Sequence, residues 1–236
     1  MKVVAAIFAR MQCIRLPAKA MAYVGGLPIV EHIFNRLSHA ETLDEVVVAT
    51  GRSYANNPIE KLCLKAGIPC FRGDEEDVLK RAVMAMREYE ADALVRICGD
   101  RPLIDPQIVD EVVRKHLEGY DFTSNNFPRR TYPDGLDVEI FSKKTLRRLD
   151  DVAVGDEREH IVLHIWRNRE KFSVGAVEHE TDLSGHRWVL DYEEDLDFVR
   201  KVYYALWADK TMFYMRDILA FLEKNPDVSL LNACRR

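Results

Sequence analysis

Three cations follow the first apolar run of the chain at close spacing. Arg10, Arg15 and Lys19 come after Val3–Phe8, whose short and β-branched character is typical of a buried strand. Pro17 lies among them and disfavours a plain helix, so the cations are expected on a loop. Open α/β sheets bind ligands at the carboxyl ends of their strands, where three positive charges suit a polyanion such as a nucleoside triphosphate. A solvated basic loop is the alternative interpretation.

Two aspartates each stand between a strand pattern and a helix pattern. Asp100 follows the apolar run Ala93–Cys98, and Asp191 follows a buried-strand pattern at 188–190. If these strands are neighbours, both carboxylates emerge beside the basic loop and could hold Mg²⁺ against triphosphate oxygens. The alternative is a structural role in turns, which aspartate favours. Asp105 precedes a helix pattern and is expected to be an N-cap.

Helix and strand patterns alternate along the first half of the chain. Strand patterns cover 3–8, 45–49, 70–71 and 93–98, and helix patterns cover 29–37, 58–66, 78–86 and 108–113. Such alternation predicts right-handed βαβ crossovers and a mostly parallel sheet. The fold class is therefore expected to be a three-layer α/β domain.

Strand and helix patterns alternate less regularly in the second half of the chain. After a turn-rich stretch come a strand pattern at 136–140, a helix pattern at 156–168, a strand pattern near 172–177 and helix patterns at 196–206 and 214–222. We predict a single domain over 1–236, with an insertion at about 125–185 and with 186–206 completing the sheet. Apolar residues at 136–140 and 161–166 suggest that the insertion also forms a two-fold homodimer.

Composition and charge narrow the class of protein. The formal net charge of −5 argues against a nucleic-acid partner, because such partners require a basic face. No apolar run approaches the length needed to span a bilayer, and Met1 leads directly into a strand pattern rather than a signal peptide. The five cysteines include no C-x-x-C pair, which suits a reducing compartment. We therefore expect a cytoplasmic protein with no membrane partner.

Several motifs in order resemble those of a known enzyme family. R-x-x-x-x-R-L-P-x-K at 10–19 is similar to the signature of cytidylyltransferases that make CMP-activated acidic sugars, above all the branch named after spore coat polysaccharide biosynthesis protein F. G-D-R-P-L-I-D at 99–105 resembles a second signature, and W-V-L-D-Y-E-E-D-L at 188–196 resembles the family's D-T-P-E-D-L. Glu194 and Asp195 are expected in the first turn of the following helix. The triplet Gln12-Cys13-Ile14 departs from the small residues usual in that branch, which alters the phosphate loop.

The resemblance implies a Rossmann-like nucleotidyltransferase fold and transfer of CMP from CTP to an acidic acceptor, with one or two Mg²⁺ ions. It places Asp100 and Asp191 at the metal and Arg10, Arg15 and Lys19 on the triphosphate. The further nucleotide-binding residues that it implies are Ala9, Met11, Arg72, Gly73, Asp77 and Arg81, with Asp100 beside them. It also implies that the insertion at about 125–185 carries acceptor contacts. The candidate acceptor-binding residues are Asp137, Glu139, Arg158 and His160 in the insertion, together with Arg187.

Several alternatives stay open at this point. An outward polar strand face would also explain Asp137 and Glu139, and Arg158 and His160 could organise the insertion instead of contacting an acceptor. The acceptor could be a non-sugar acid such as a phosphonate, or the nucleotide could differ. A glycosyltransferase of related fold is a further alternative, although no D-x-D motif stands at a strand end. A non-catalytic nucleotide sensor is the remaining one.

Overall fold

The strands and helices follow one another as in an α/β protein. The computed structural model describes residues 1–209 and 211–233, so Cys234 lies outside the described residues. The strands are β1 (Val3–Phe8), β2 (Tyr23–Val24), β3 (Leu27–Pro28), β4 (Glu45–Gly51), β5 (Cys70–Gly73), β6 (Ala93–Cys98), β7 (Phe122–Ser124), β8 (Glu139–Ser142) and β9 (Val174–Ala176). The helices are α1 (Ile29–Leu37), α2 (Asn57–Ala66), α3 (Val78–Glu88), α4 (Pro106–His116), α5 (Lys143–Val152), α6 (Asp156–Glu159), α7 (Leu163–Arg167), α8 (Glu193–Leu206), α9 (Met215–Lys224) and α10 (Pro226–Leu230). Among the described residues, no helix is long and apolar enough to cross a membrane.

The central strand of the main sheet is β1, which lies between β4 and β6. The strand order is β5-β4-β1-β6-β8-β7-β9, and β8 runs antiparallel to both of its neighbours, whereas the other pairs are parallel. The predicted mostly parallel sheet is therefore confirmed. Phe8 pairs with Cys98 at the carboxyl ends of β1 and β6, so the loops that follow these strands begin side by side.

Alternate residues of the central strand pack on opposite faces of the sheet. Ala5 and Ile7 join a hydrophobic cluster with α1, α4 and α8, whereas Val4 and Ala6 join a second cluster with α3 and α5. All four side chains are fully buried. Helices cover both faces, as buried parallel strands require, and the three-layer prediction is confirmed.

The segment 125–185 contributes two strands to the main sheet. Its strand β8 lies between β6 and β7, and its strand β9 pairs with β7 at the edge. The strand predicted at 136–140 begins only at Glu139. The helix predicted at 156–168 is divided into α6 and α7, because the backbone of His160 leaves the helical region with φ −101° and ψ 73°.

The strand predicted at 188–190 does not form, although Arg187, the residue before it, makes an isolated parallel bridge with Asp134. The pairing of β6 with β8 covers Ala93–Arg96 and stops short of this segment. Leu190 instead donates its backbone N–H to the carbonyl oxygen of Asp100 at 2.8 Å. Trp188 and Leu190 are nevertheless buried, as the sequence pattern indicated. This segment brings Asp191 next to the end of β6.

The apolar residues expected at a dimer interface are largely buried within the chain itself. Leu136, Val138 and Ile140 are fully buried in the core. Trp166 remains 46% exposed, although its ring stacks on Phe127 with the ring centroids 5.4 Å apart. The surface expected from the first three residues is therefore absent, and the two-fold dimer stays a prediction.

Candidate active site

The ammonium group of Lys19 joins the two aspartates that the sequence singled out. Its Nζ lies 2.7 Å from Oδ2 of Asp100 and 2.8 Å from Oδ1 of Asp191. The burial of Lys19 would lower its pKa, but the two carboxylates outweigh this effect and raise the pKa above its ordinary value. The structure therefore brings the basic loop and both aspartates to a single point.

Asp191 is surrounded by cations. Arg15 donates from Nη2 to Oδ1 of Asp191 at 2.8 Å, and Nη2 of Arg187 lies 3.7 Å from Oδ2. The Arg15 side chain is 52% exposed, so it is accessible to a ligand. Arg187 is held more firmly, since it donates two hydrogen bonds to the carboxylate of Asp195 at 3.0 and 2.9 Å. In this structure the guanidinium of Arg187 therefore stabilises the first turn of α8, where Asp195 lies.

The carboxylate of Asp195 fixes the backbone on which Asp191 sits. It accepts the backbone N–H groups of Asp191 at 2.9 Å and Tyr192 at 3.0 Å, and it forms a capping box with Tyr192 at the start of α8. Burial would raise the pKa of Asp195, but the Arg187 guanidinium and these backbone donors hold the pKa below its ordinary value. The predicted first-turn position of Asp195 is confirmed.

The predicted N-cap role of Asp105 is confirmed. Asp105 accepts the backbone N–H of Gln107 at 2.9 Å and is the N-cap of α4.

The basic loop is anchored at Met11, whose backbone N–H donates to Oδ1 of Asn56 at 2.9 Å. Ile14 of the altered triplet is fully exposed, so its bulk is directed away from the core.

A cavity of about 240 Å³ lies beside Lys19 and Asp100. The cations that line it are Arg10, Lys19, Arg81 and Arg96, and the carboxylates are Asp100 and Glu159. Gln12, Cys13, Cys98 and His160 also contribute to its walls. The excess of cations suits an anionic ligand. A larger cavity of about 1190 Å³ between β2 and α8 contains none of the motif residues.

Three arginines line this cavity, of which the sequence motifs predicted Arg10 and Arg81 but not Arg96. Arg10 donates from Nη1 to the carbonyl oxygen of Glu75 at 2.8 Å, which joins the basic loop to the loop after β5. Arg81 is buried, and burial together with the charge of Arg10 lowers the pKa of Arg81 to about 10. Arg96 was missed by the motif analysis. The signal that identifies it is a charged residue inside an otherwise apolar strand pattern.

Comparisons with known proteins identify the family. A family model described as cytidylyltransferase matches residues 4–224 of the chain. The chain belongs to the cytidylyltransferase family. A solved cytidylyltransferase from Leptospira borgpetersenii is 33% identical, with a TM-score of 0.91, over 97% of this chain and 96% of the other. The spore coat polysaccharide biosynthesis protein SpsF of Bacillus subtilis is 25% identical over 94% of this chain and 95% of its own length.

Solved structures of lower sequence identity share the fold of this cytidylyltransferase. The structure of CMP:2-keto-3-deoxy-manno-octonic acid synthetase complexed with CTP has a TM-score of 0.66 at 18% identity, over 89% of this chain and all of the other. At that identity the likeness shows the shared nucleotidyltransferase fold alone. It agrees with the mostly parallel sheet described above.

Arg72, Asp77 and Arg158 of the cytidylyltransferase make structural contacts and are not among the residues that line the cavity. Arg72 donates from Nη1 to the side chains of Asn57 at 2.8 Å and Glu60 at 2.6 Å, which turns it toward α2. Asp77 caps α3 and pairs with Nε of Arg158 at 2.5 Å. The structure therefore joins Arg158 to α3 and does not bring Arg72 to the cavity, whereas His160 does line it.

The outward polar face considered for Asp137 and Glu139 is wrong. These side chains are 4% and 3% exposed, and each is paired with an arginine. Asp137 accepts from Nη2 of Arg101 at 2.9 Å, and Glu139 accepts from Nη1 of Arg96 at 2.5 Å. Buried carboxylates need such partners, because an isolated buried charge is costly. Arg96 lines the cavity, whereas neither member of the Arg101–Asp137 pair does.

Proposed function

We propose that this cytidylyltransferase couples CMP to an acidic sugar or a related acid and releases pyrophosphate from CTP. The observation that carries the proposal is the meeting of Lys19 with Asp100 and Asp191 beside a cavity lined by arginines. The name of the spore coat relative supports a role in polysaccharide precursor synthesis. The CTP-bound synthetase of the same fold supports an acidic sugar as the acceptor.

The proposed transfer replaces one phosphorus–oxygen bond with another. An acceptor oxygen bonds to the α-phosphorus of CTP, the bond from that phosphorus to the bridging oxygen breaks, and pyrophosphate leaves with the electron pair. Arg10, Arg15 and Lys19 would neutralise the triphosphate and stabilise the charge that develops on the leaving group. Such reactions depend mainly on positioning and charge neutralisation rather than on covalent chemistry by the protein.

Asp100 and Asp191 fit a Mg²⁺ ion together with a nucleotide. Their oxygens converge on the position of the Lys19 Nζ. Within the part of the chain that the structure describes, no cluster of three or more His, Cys, Asp or Glu side chains could hold a metal by itself. Two carboxylates completed by waters and phosphate oxygens are a donor set that Mg²⁺ prefers. Held by these aspartates, the ion would polarise the α-phosphate.

Metal binding is expected to depend on the nucleotide. The Lys19 ammonium already lies between the two carboxylates, so the nucleotide-free protein should bind Mn²⁺, a paramagnetic substitute for Mg²⁺, only weakly. CTP should attract Lys19 to its phosphates and raise the Mn²⁺ affinity about tenfold or more, a usual size for such coupling. Lys19→Met should raise the nucleotide-free affinity. Electron paramagnetic resonance titration measures both, and equal wild-type affinities with and without CTP would contradict this account.

CTP is expected to be preferred over other nucleotides. We expect the base beside the loop after β5, which Arg10 ties to the basic loop. A wall built for a single ring would clash with the two rings of a purine. A site that hydrogen-bonds the amino group of cytosine leaves polar groups unpaired with UTP, and discrimination of about a hundredfold or more follows. Pyrophosphate release with each nucleoside triphosphate measures the preference, and equal turnover of ATP and CTP would refute it.

The same assay distinguishes the classes of function. With CTP and a panel of acidic sugars and phosphonates, a cytidylyltransferase releases pyrophosphate. A glycosyltransferase would instead release nucleotide from a nucleotide sugar, and a nucleotide sensor would release neither. The acid that supports the fastest release identifies the acceptor class and decides between a sugar acid and a phosphonate.

A further inference from the structure

Arg96 occupies a position where the fold calls for an apolar residue. It lies on β6 opposite Ala6 of β1, on the sheet face where Leu94 and Ala6 are fully buried beneath α3. The other β6 positions from Ala93 to Ile97 are completely buried and apolar. A guanidinium in such a place costs desolvation energy, which stability alone does not explain.

The hydrogen-bonding groups of Arg96 are only partly used by the protein. Its Nη1 donates to Oε2 of Glu139 at 2.5 Å, and the two residues are cross-strand partners on β6 and β8. Its Nε–H is buried and has no acceptor among the described residues. An unpaired buried donor is unfavourable, so the side chain retains hydrogen-bonding capacity that no described protein group uses.

Like charges crowd around Arg96 in the cavity. The ring of Phe8 lies beneath two guanidinium groups, with the Cζ of Arg81 at 5.6 Å from its centroid and the Cζ of Arg96 at 5.9 Å. Arg10 lines the same cavity and adds a third positive charge. An anion bound between these groups would relieve their mutual repulsion.

We propose that Arg96 binds the carboxylate of the acceptor and that Glu139 orients its guanidinium for that contact. This assignment rests on the proposed function. The cavity also contains Lys19 and Asp100, so an acid held by Arg96 lies beside the groups expected to bind the reacting phosphate. A guanidinium suits a carboxylate, because a hydrogen bond between two ionised groups is stronger than one between neutral groups.

The test compares acids with their carboxamides as acceptors. Wild type, Arg96→Met and Arg96→Lys are assayed for pyrophosphate release with CTP and a panel of sugar acids, with 3-deoxy-manno-octulosonate and its carboxamide as the first pair. Arg96→Met should raise the KM for the acid about ten- to a hundredfold, the effect of losing a charged hydrogen bond, while the KM for CTP stays unchanged. The preference for acid over carboxamide should disappear in Arg96→Met and partly persist in Arg96→Lys.

The controls separate binding from structure. Arg148→Met removes an arginine that also lies over a phenylalanine ring but is remote from the cavity, and it should leave both KM values unchanged. Glu139→Gln should raise the KM for the acid less than Arg96→Met does. An unchanged acid preference in folded Arg96→Met and Arg96→Lys, or a rise in the KM for CTP instead, would overturn the assignment alone. Absence of release by wild type with every acid would overturn the proposed function and the assignment with it.

Discussion

Asp100→Asn and Asp191→Asn should each lower the transfer rate about a hundred- to a thousandfold while the fold survives. Asparagine keeps the size of aspartate but removes the negative charge, which weakens the affinity for a hard cation. It also leaves Lys19 with a single carboxylate partner. Because asparagine is itself a good turn residue, the loop after β6 and the start of α8 should tolerate it.

Pyrophosphate release and thermal unfolding, measured on the same preparations, check this expectation. Asp197→Asn is the control, because Asp197 is an exposed aspartate of α8 and should tolerate asparagine with little change in activity or unfolding temperature. Additional Mg²⁺ should restore the activity of the two site variants only in part. Near-normal activity in Asp100→Asn or Asp191→Asn would show that the aspartate in question is a structural turn residue.

Lys19→Ala and Arg15→Ala should lower kcat together with kcat/KM, because each removes a cation whose contact strengthens as charge develops on the leaving pyrophosphate. Losses of roughly ten- to a thousandfold are expected for a single donor of this kind. Lys19 should show the larger loss, since its side chain is 13% exposed and contacts both aspartates, whereas the Arg15 side chain is 52% exposed. Solvent screens the charge of Arg15 more strongly.

Steady-state kinetics at saturating and limiting CTP separate kcat from kcat/KM. Lys65→Ala, an exposed lysine of α2, controls for the loss of one positive charge and should behave as wild type. A rise in the KM for CTP alone would mean that the two cations bind substrate and transition state equally. Wild-type rates in both variants would show that the loop is an ordinary basic surface.

Local patterns in the sequence were sufficient to predict most elements of the first half of the fold. The strand at Val3–Phe8 and the helix at Ile29–Leu37 have the bounds that apolar runs and helical periodicity indicated. The helix-start roles of Asp105 and Asp195 were likewise predicted, because capping depends on a few adjacent residues. The basic loop and the two aspartates were recognisable for a similar reason, since each motif is contiguous in sequence.

Only the tertiary structure decided which of these residues meet. Because β8 pairs with β6, Glu139 lies opposite Arg96. Arg72 hydrogen-bonds to Glu60 of α2 and does not line the cavity. The segment 188–190 is buried, but it is held by the hydrogen bond from Leu190 to Asp100 rather than by strand pairing. Alternation of apolar and polar residues tells which faces a strand buries, but it does not tell which strand lies next to it. Strand neighbours are fixed by the packing of the whole sheet, and they determine which side chains line the cavity.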